Sequence, residues 1–142
     1  ESFQCAGIFN IVTDFCDDGD LSAAIEQQRG PDKDGPHFDP GQVLDWIVQL
    51  GLALQHIHER KILHRDVKTK NIFLTRAPGG ERLLKLGDFG IARTLVDTAE
   101  QATSIAGTPM YMSPECLQHN GYGPKSDVWA FGVVVWEVCL LE

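Results

Sequence analysis

Asp66, Lys68, Asn71 and Asp88 are the residues of this chain best suited to work on a phosphate group. The first three stand in His64-Arg65-Asp66-Val67-Lys68-Thr69-Lys70-Asn71, and the fourth opens Asp88-Phe89-Gly90. An Asp of ordinary acidity is a weak base, so the task expected of Asp66 is to orient an attacking hydroxyl and accept its proton late. Lys68 is close enough in sequence to neutralise charge that develops on a transferred phosphate. Asn71 and Asp88 offer oxygen ligands from two separate loops, a donor set that suits Mg²⁺. Gly90 allows a sharp turn after the metal ligand. His64 and Phe89 read as packing residues rather than catalysts. Together these types and spacings point to transfer of a phosphoryl group to a hydroxyl.

The elements that must position these residues follow from periodicity. Gly7 to Phe15 is β-branched and aromatic and reads as a strand. Leu21 to Gln28 reads as a short helix. Residues 30–39, with two Pro and two Gly, read as an exposed loop. Asp39 is placed to cap a long helix with Pro40 at its first position. Its buried face should carry Val43, Ile47, Leu50, Leu54, Ile57 and His58. Ile62-Leu63 and Ile72-Phe73-Leu74 read as short strands flanking the catalytic loop, and Leu83 to Leu86 as a strand pairing back after the Ala77-Pro78-Gly79-Gly80 turn. Thr94 to Ala106 is polar and aperiodic, as a mobile segment would be. The final helix should start at Ser126 or Asp127. It is apolar on nearly all sides, which marks a central buried helix.

The chain has 142 residues, 43% of them apolar, which suits one domain or a large part of one. A net charge of −8 and a pI near 5.0 argue against nucleic acid or an anionic membrane as the main partner. Asp14, Asp17, Asp18, Asp20 and Glu26 form an acidic cluster. It reads either as a solvated rim or as an attractor for a basic substrate segment with one ribose contact. Cys5, Cys16, Cys116 and Cys139 make no C-x-x-C pair, so neither zinc nor a disulfide framework is expected, and reduced thiols in the cytosol or nucleus are the simple reading.

The chain resembles a eukaryotic Ser/Thr protein kinase, and within that group the NIMA-related (Nek) kinases. The resemblance rests on residues 64–75, on Leu86-Gly87-Asp88-Phe89-Gly90-Ile91-Ala92-Arg93, and on Gly107-Thr108-Pro109-Met110-Tyr111-Met112-Ser113-Pro114-Glu115. Lys68 and Gly107-Thr108-Pro109 imply the Ser/Thr class. Phe73 and Gly87 are typical of the Nek subgroup. The resemblance implies an α+β kinase-like fold, with 1–15 the end of the small lobe and hinge and 16–142 the first part of the large lobe. It implies ATP and Mg²⁺ as cofactors, protein substrates with Ser or Thr acceptors, an upstream activating kinase, and a cytoplasmic, cytoskeletal, centrosomal or nuclear location. Residue by residue, Thr13 resembles the gatekeeper, Asp14 and Cys16 the hinge, Asp20 the ribose contact and Phe73 the floor of the adenine pocket. Thr108 would help seat the substrate hydroxyl beside Asp66 and Lys68. Asp127 would brace the catalytic loop, and Arg65 would meet a phosphate on Ser104 or Thr103. Glu115 would pair with an Arg that does not occur in this stretch.

No Gly-x-Gly-x-x-Gly loop and no Val-Ala-Ile-Lys-like strand occurs in the chain, and it opens without Met. An internal piece cut at both ends is therefore expected, inactive when isolated. A pseudokinase or scaffold that keeps the fold for binding is the competing reading. Intact Asp66, Lys68, Asn71 and Asp88 favour the active enzyme.

Overall fold

The computed structural model describes residues 1–31, 35–89, 93–94 (main chain only) and 108–141. Strands β1 (Ser2–Cys5) and β2 (Ile8–Ile11) form an antiparallel hairpin, with Ser2 opposite Ile11 and Cys5 opposite Ile8. The sequence reading of one strand from Gly7 to Phe15 is corrected here. Ala6 and Gly7 both take positive φ (49° and 81°), so the chain reverses there and residues 2–5 supply a partner strand. From Val12 the chain runs without regular structure to α1 (Leu21–Arg29), whose N-cap is Asp20.

Helix α2 (Pro40–Glu59) begins where Asp39 and Pro40 indicate, with Asp39 Oδ1 accepting the Gln42 N–H at 3.1 Å. Trp46, Leu50, Leu54 and Ile57 form its buried stripe, while Val43, Ile47 and His58 are half-buried. The short strand β3 (Ile62–Leu63) follows. After it come a single 3₁₀ turn (Thr69–Asn71) and β4 (Ile72–Arg76), which pairs antiparallel with β5 (Arg82–Leu86). Alternation along β4 buries Ile72 and Leu74 in the core and turns Phe73 and Thr75 to the opposite face. Strand β6 (Arg93–Thr94) pairs with β3. A 3₁₀ turn (Pro109–Tyr111) and the one-turn helix α3 (Pro114–Leu117) lead to α4 (Pro124–Leu140).

Helix α4 starts two residues before the expected Ser126, because Pro124 tolerates the first helical position. Ala130, Val134 and Val138 bury against the α2 side of the core. Val128, Trp129, Trp136 and Leu140 stand 48–53% exposed, so this helix is covered on one stripe rather than all round. Among the described residues, α2 and the 3₁₀ turn before α3 pack closely on it.

Candidate active site

The site is built on the loop between β3 and β4, and Asp127 of α4 holds that loop from beneath. Asp127 is fully buried. Its Oδ2 accepts the main-chain N–H of His64 and its Oδ1 that of Arg65, each at 3.0 Å. The same carboxylate meets His58 Nε2 at 2.8 Å and the Tyr122 hydroxyl at 2.5 Å. Burial and the neighbouring Asp127 charge push the Tyr122 hydroxyl far up, so it stays a donor. With two amides pinned, Arg65 adopts φ 71°, a left-handed value uncommon for a residue with a side chain, and the loop turns sharply into Asp66. Asp127 thus holds the start of the loop by two main-chain amides and is itself met by His58 and Tyr122.

His64 is fully buried and has both ring nitrogens engaged. Nδ1 accepts from the Asp66 N–H at 3.3 Å, which puts the proton on Nε2, and Nε2 donates to the Gly87 carbonyl at 2.9 Å. Phe89 packs edge-on against the ring, with centroids 4.8 Å apart. His64 is thus fully packed, while Phe89 meets its ring edge-on and is itself 45% exposed. His64 also ties the Asp66 loop to the strand end before Asp88.

Asp66, Lys68, Asn71 and Thr108 come together in one cluster. Lys68 Nζ donates to Asp66 Oδ2 at 2.6 Å and to Thr108 Oγ1 at 3.1 Å. Thr108 Oγ1 donates to Asp66 Oδ1 at 3.2 Å, from 42 residues along the chain. Asn71 Nδ2 donates to the Asp66 main-chain oxygen at 2.8 Å and to Oδ2 at 2.9 Å. Burial pushes the Asp66 carboxyl up, but hydrogen bonds from Lys68, Asn71 and Thr108 and the Lys68 charge outweigh it, and the group ends below the usual carboxylate value.

The Gly87 N–H donates to the Asn71 carbonyl at 2.9 Å, which ties the main chain just before Asp88 to Asn71. Asp88 is exposed and takes φ 56°, a strained left-handed conformation of the kind that collects at functional sites. Because Asn71 Nδ2 faces Asp66, its amide oxygen is turned the other way. Among the described residues no group of three His, Cys, Asp or Glu side chains could hold a metal by itself. Two oxygen donors on adjoining loops fit Mg²⁺ shared with phosphate oxygens rather than a closed protein cage.

Of the expected nucleotide residues, Thr13, Asp14, Cys16 and Asp20 lie along the segment from β2 to α1, which is stitched to β4, the strand that carries Phe73. Leu74 N–H donates to the Gly19 carbonyl at 2.8 Å and Asp18 N–H to the Leu74 carbonyl at 3.1 Å, and Asp20 bridges Phe73. Thr13 and Asp14 are exposed, and Cys16 is a half-buried free thiol. Asp14 forms an ion pair with Lys85, the residue opposite Phe73. Asp17 accepts from Thr75 at 2.9 Å, and Asp18 pairs with Arg76 and Arg82. These three carboxylates of the acidic cluster thus hold the segment onto the sheet, a role neither sequence reading gave them. Asp20 Oδ1 caps α1 by accepting the Ala23 N–H at 2.8 Å, an engagement unseen in the sequence.

Glu115 accepts a hydrogen bond from Ser126 at 2.9 Å. Its own main-chain N–H, Ser113 and Ser126 hold its carboxyl below the usual range. Gly90, Thr103 and Ser104 lie outside the described residues, as does Thr94 to Ala106 apart from Thr94 itself. Sequence reasoning missed a second polar cluster. The Tyr111 hydroxyl donates to both Glu137 oxygens at 2.8 Å, and Thr69 Oγ1 lies 3.2 Å from it. Burial raises the Glu137 carboxyl and pushes the Tyr111 hydroxyl up to about 12. The available signal was a lone Glu in the apolar stretch of α4 that follows Asp127.

A family model described as the protein kinase domain matches residues 1–142. The chain is 49% identical over 142 residues to serine/threonine-protein kinase Nek1 of Mus musculus, covering all of this chain and 11% of that protein. It is 49% identical over 141 residues to mouse Nek5 and 43% identical over 141 residues to mouse Nek11. Each match covers 99% of this chain and 21% of the relative. The chain thus spans between a tenth and a quarter of the length of these relatives.

Proposed function

Because the chain belongs to the protein kinase domain family, we propose that the protein carrying it transfers the γ-phosphoryl group of ATP to Ser and Thr hydroxyls of protein substrates, as a Nek-like kinase. The observation that carries this reading is the contact of Lys68 Nζ with both Asp66 Oδ2 and Thr108 Oγ1. An ammonium, a carboxylate and a hydroxyl donor converge there from two segments of the chain. Asp66 orients the substrate hydroxyl and takes its proton. Its lowered pKa keeps it ionised at neutral pH, so it acts by position more than by basicity. Lys68 sets positive charge beside the transferred group, and Thr108 fixes the second carboxylate oxygen. Asn71 and Asp88 would hold Mg²⁺, which when bound neutralises phosphate charge. Phe73, Thr13, Asp14, Cys16 and Asp20 would line the nucleotide side.

The test uses the full protein that carries this chain, with ATP, Mg²⁺ and casein. Phosphoserine and phosphothreonine should appear with Mg²⁺, vanish with EDTA, and vanish in Asp88→Ala. A folded protein that binds ADP yet phosphorylates nothing would favour the scaffold reading.

A further inference from the structure

Gly87 is held on both sides. Its N–H donates to the Asn71 carbonyl and its carbonyl accepts from His64 Nε2, both at 2.9 Å. A Cβ added there would lie 2.7 Å from Phe73 Cε2 and 2.9 Å from Cδ2. Such an approach is closer than real Cβ contacts, so one of the two residues must give. Gly87 is not at positive φ, so alanine suits its backbone and the conflict is purely steric. Moving its main chain would drag Asn71 and Asp88, the two oxygen donors. The Phe73 main chain is pinned as well, paired with Lys85 across the sheet and bridged to Asp20. The Phe73 ring is therefore the part that has to turn. It lies on the sheet face that the segment from Val12 to Asp20 crosses.

We propose that Gly87 is a positioning residue whose missing side chain reserves the space of the Phe73 ring, so that the interlocked pair sets the surface under an adenine nucleotide. This inference rests on the kinase reading above. A ring forced out of its slot changes the base-binding surface, and overpacking of this kind is penalised in well-packed sites.

The test is a cycle of Gly87→Ala, Phe73→Leu and the double variant in the full protein, read by calorimetric ADP affinity and by urea midpoints without nucleotide. Gly87→Ala should weaken ADP binding about tenfold or more. Adding Phe73→Leu should bring the affinity back to within about threefold of the Phe73→Leu single variant, because the shorter side chain leaves room for the methyl group. The urea midpoints should show the same non-additivity. A Gly87→Ala protein that binds ADP like wild type, or a defect that Phe73→Leu does not relieve, would overturn the interlock. Wild-type protein with no ADP affinity would instead sink the kinase reading. The urea cycle would then still decide whether the steric coupling exists.

Discussion

Asp127 Oδ2 accepts the His64 main-chain N–H at 3.0 Å across 63 residues of sequence, so the start of α4 fixes the start of the β3–β4 loop. The bond is fully buried and has the Arg65 N–H beside it on the other carboxylate oxygen. Loop geometry at Asp66 is thereby set by a residue that faces no substrate.

Asp127→Ala should destabilise the full protein by about 3 kcal/mol or more, because it strands two buried amide donors at roughly 1–3 kcal/mol each. Tyr122→Phe, which removes one hydroxyl from the same carboxylate, should cost about 1 kcal/mol. Urea unfolding of both variants checks the ranking. A cost for Asp127→Ala no larger than for Tyr122→Phe would show that the loop is held elsewhere.

Lys68 offsets the burial of Asp66. A carboxyl with a depressed folded-state value contributes stability and activity above its ordinary value and loses them only as pH falls through the depressed one. In wild type the acid limb of turnover should therefore lie below the ordinary Asp value of about 3.9. Lys68→Met removes the charge and a hydrogen bond but leaves the burial, so the acid limb of its residual turnover should move to higher pH. A pH–rate profile of the variant measures this, and an unmoved limb would contradict the assigned partnership.

Glu137 titrates in the opposite sense. Burial raises its folded-state value, so its contribution to stability is full below the ordinary carboxyl value of about 4.5 and is lost as pH rises through the raised one. Glu137→Gln keeps an oxygen for the Tyr111 hydroxyl without the buried charge. The variant should match wild type near pH 4 and become the more stable of the two by pH 8. Thermal unfolding at both values decides it, and a variant less stable at pH 8 would mean that the ionised pair is net stabilising.

Much of this site could be read from residue order alone. Asp66, Lys68, Asn71 and Asp88 lie close in sequence, and the short β3–β4 and β4–β5 connections leave few ways to separate them. The Asp39-Pro40 start of α2 was legible because capping is local. The hairpin at Ala6-Gly7 was missed because Ala at positive φ carries no turn signal. The tie of Asp14, Asp17 and Asp18 to β4 and β5 was missed because cross-chain pairing of exposed charges has no periodicity. The Phe73–Gly87 interlock needs a distance, which two residue names do not supply.

Arg65 Nε is buried without a hydrogen-bond partner among the described residues, and its guanidinium carbon sits 5.8 Å from the centre of the Tyr122 ring. A phosphate on Ser104 would bring about −1.5 to −2 charge and three acceptor oxygens to such a cation. Ser104→Ala in the full protein should lower turnover strongly, and Thr103→Ala less. Mass spectrometry of active protein should find the phosphate at 104. Full turnover of Ser104→Ala together with unmodified Ser104 and Thr103 would exclude this control.

Single-turnover phosphoryl transfer by the full protein at saturating Mg·ATP, wild type against Asp66→Asn, tests the account at its centre. Loss of the positioned proton acceptor should slow the chemical step by about 10²- to 10⁴-fold while the ADP dissociation constant stays within about twofold, since Asp66 meets the hydroxyl and not the nucleotide. Wild-type rates from Asp66→Asn would contradict the claim that the Asp66–Lys68–Thr108 cluster performs the transfer.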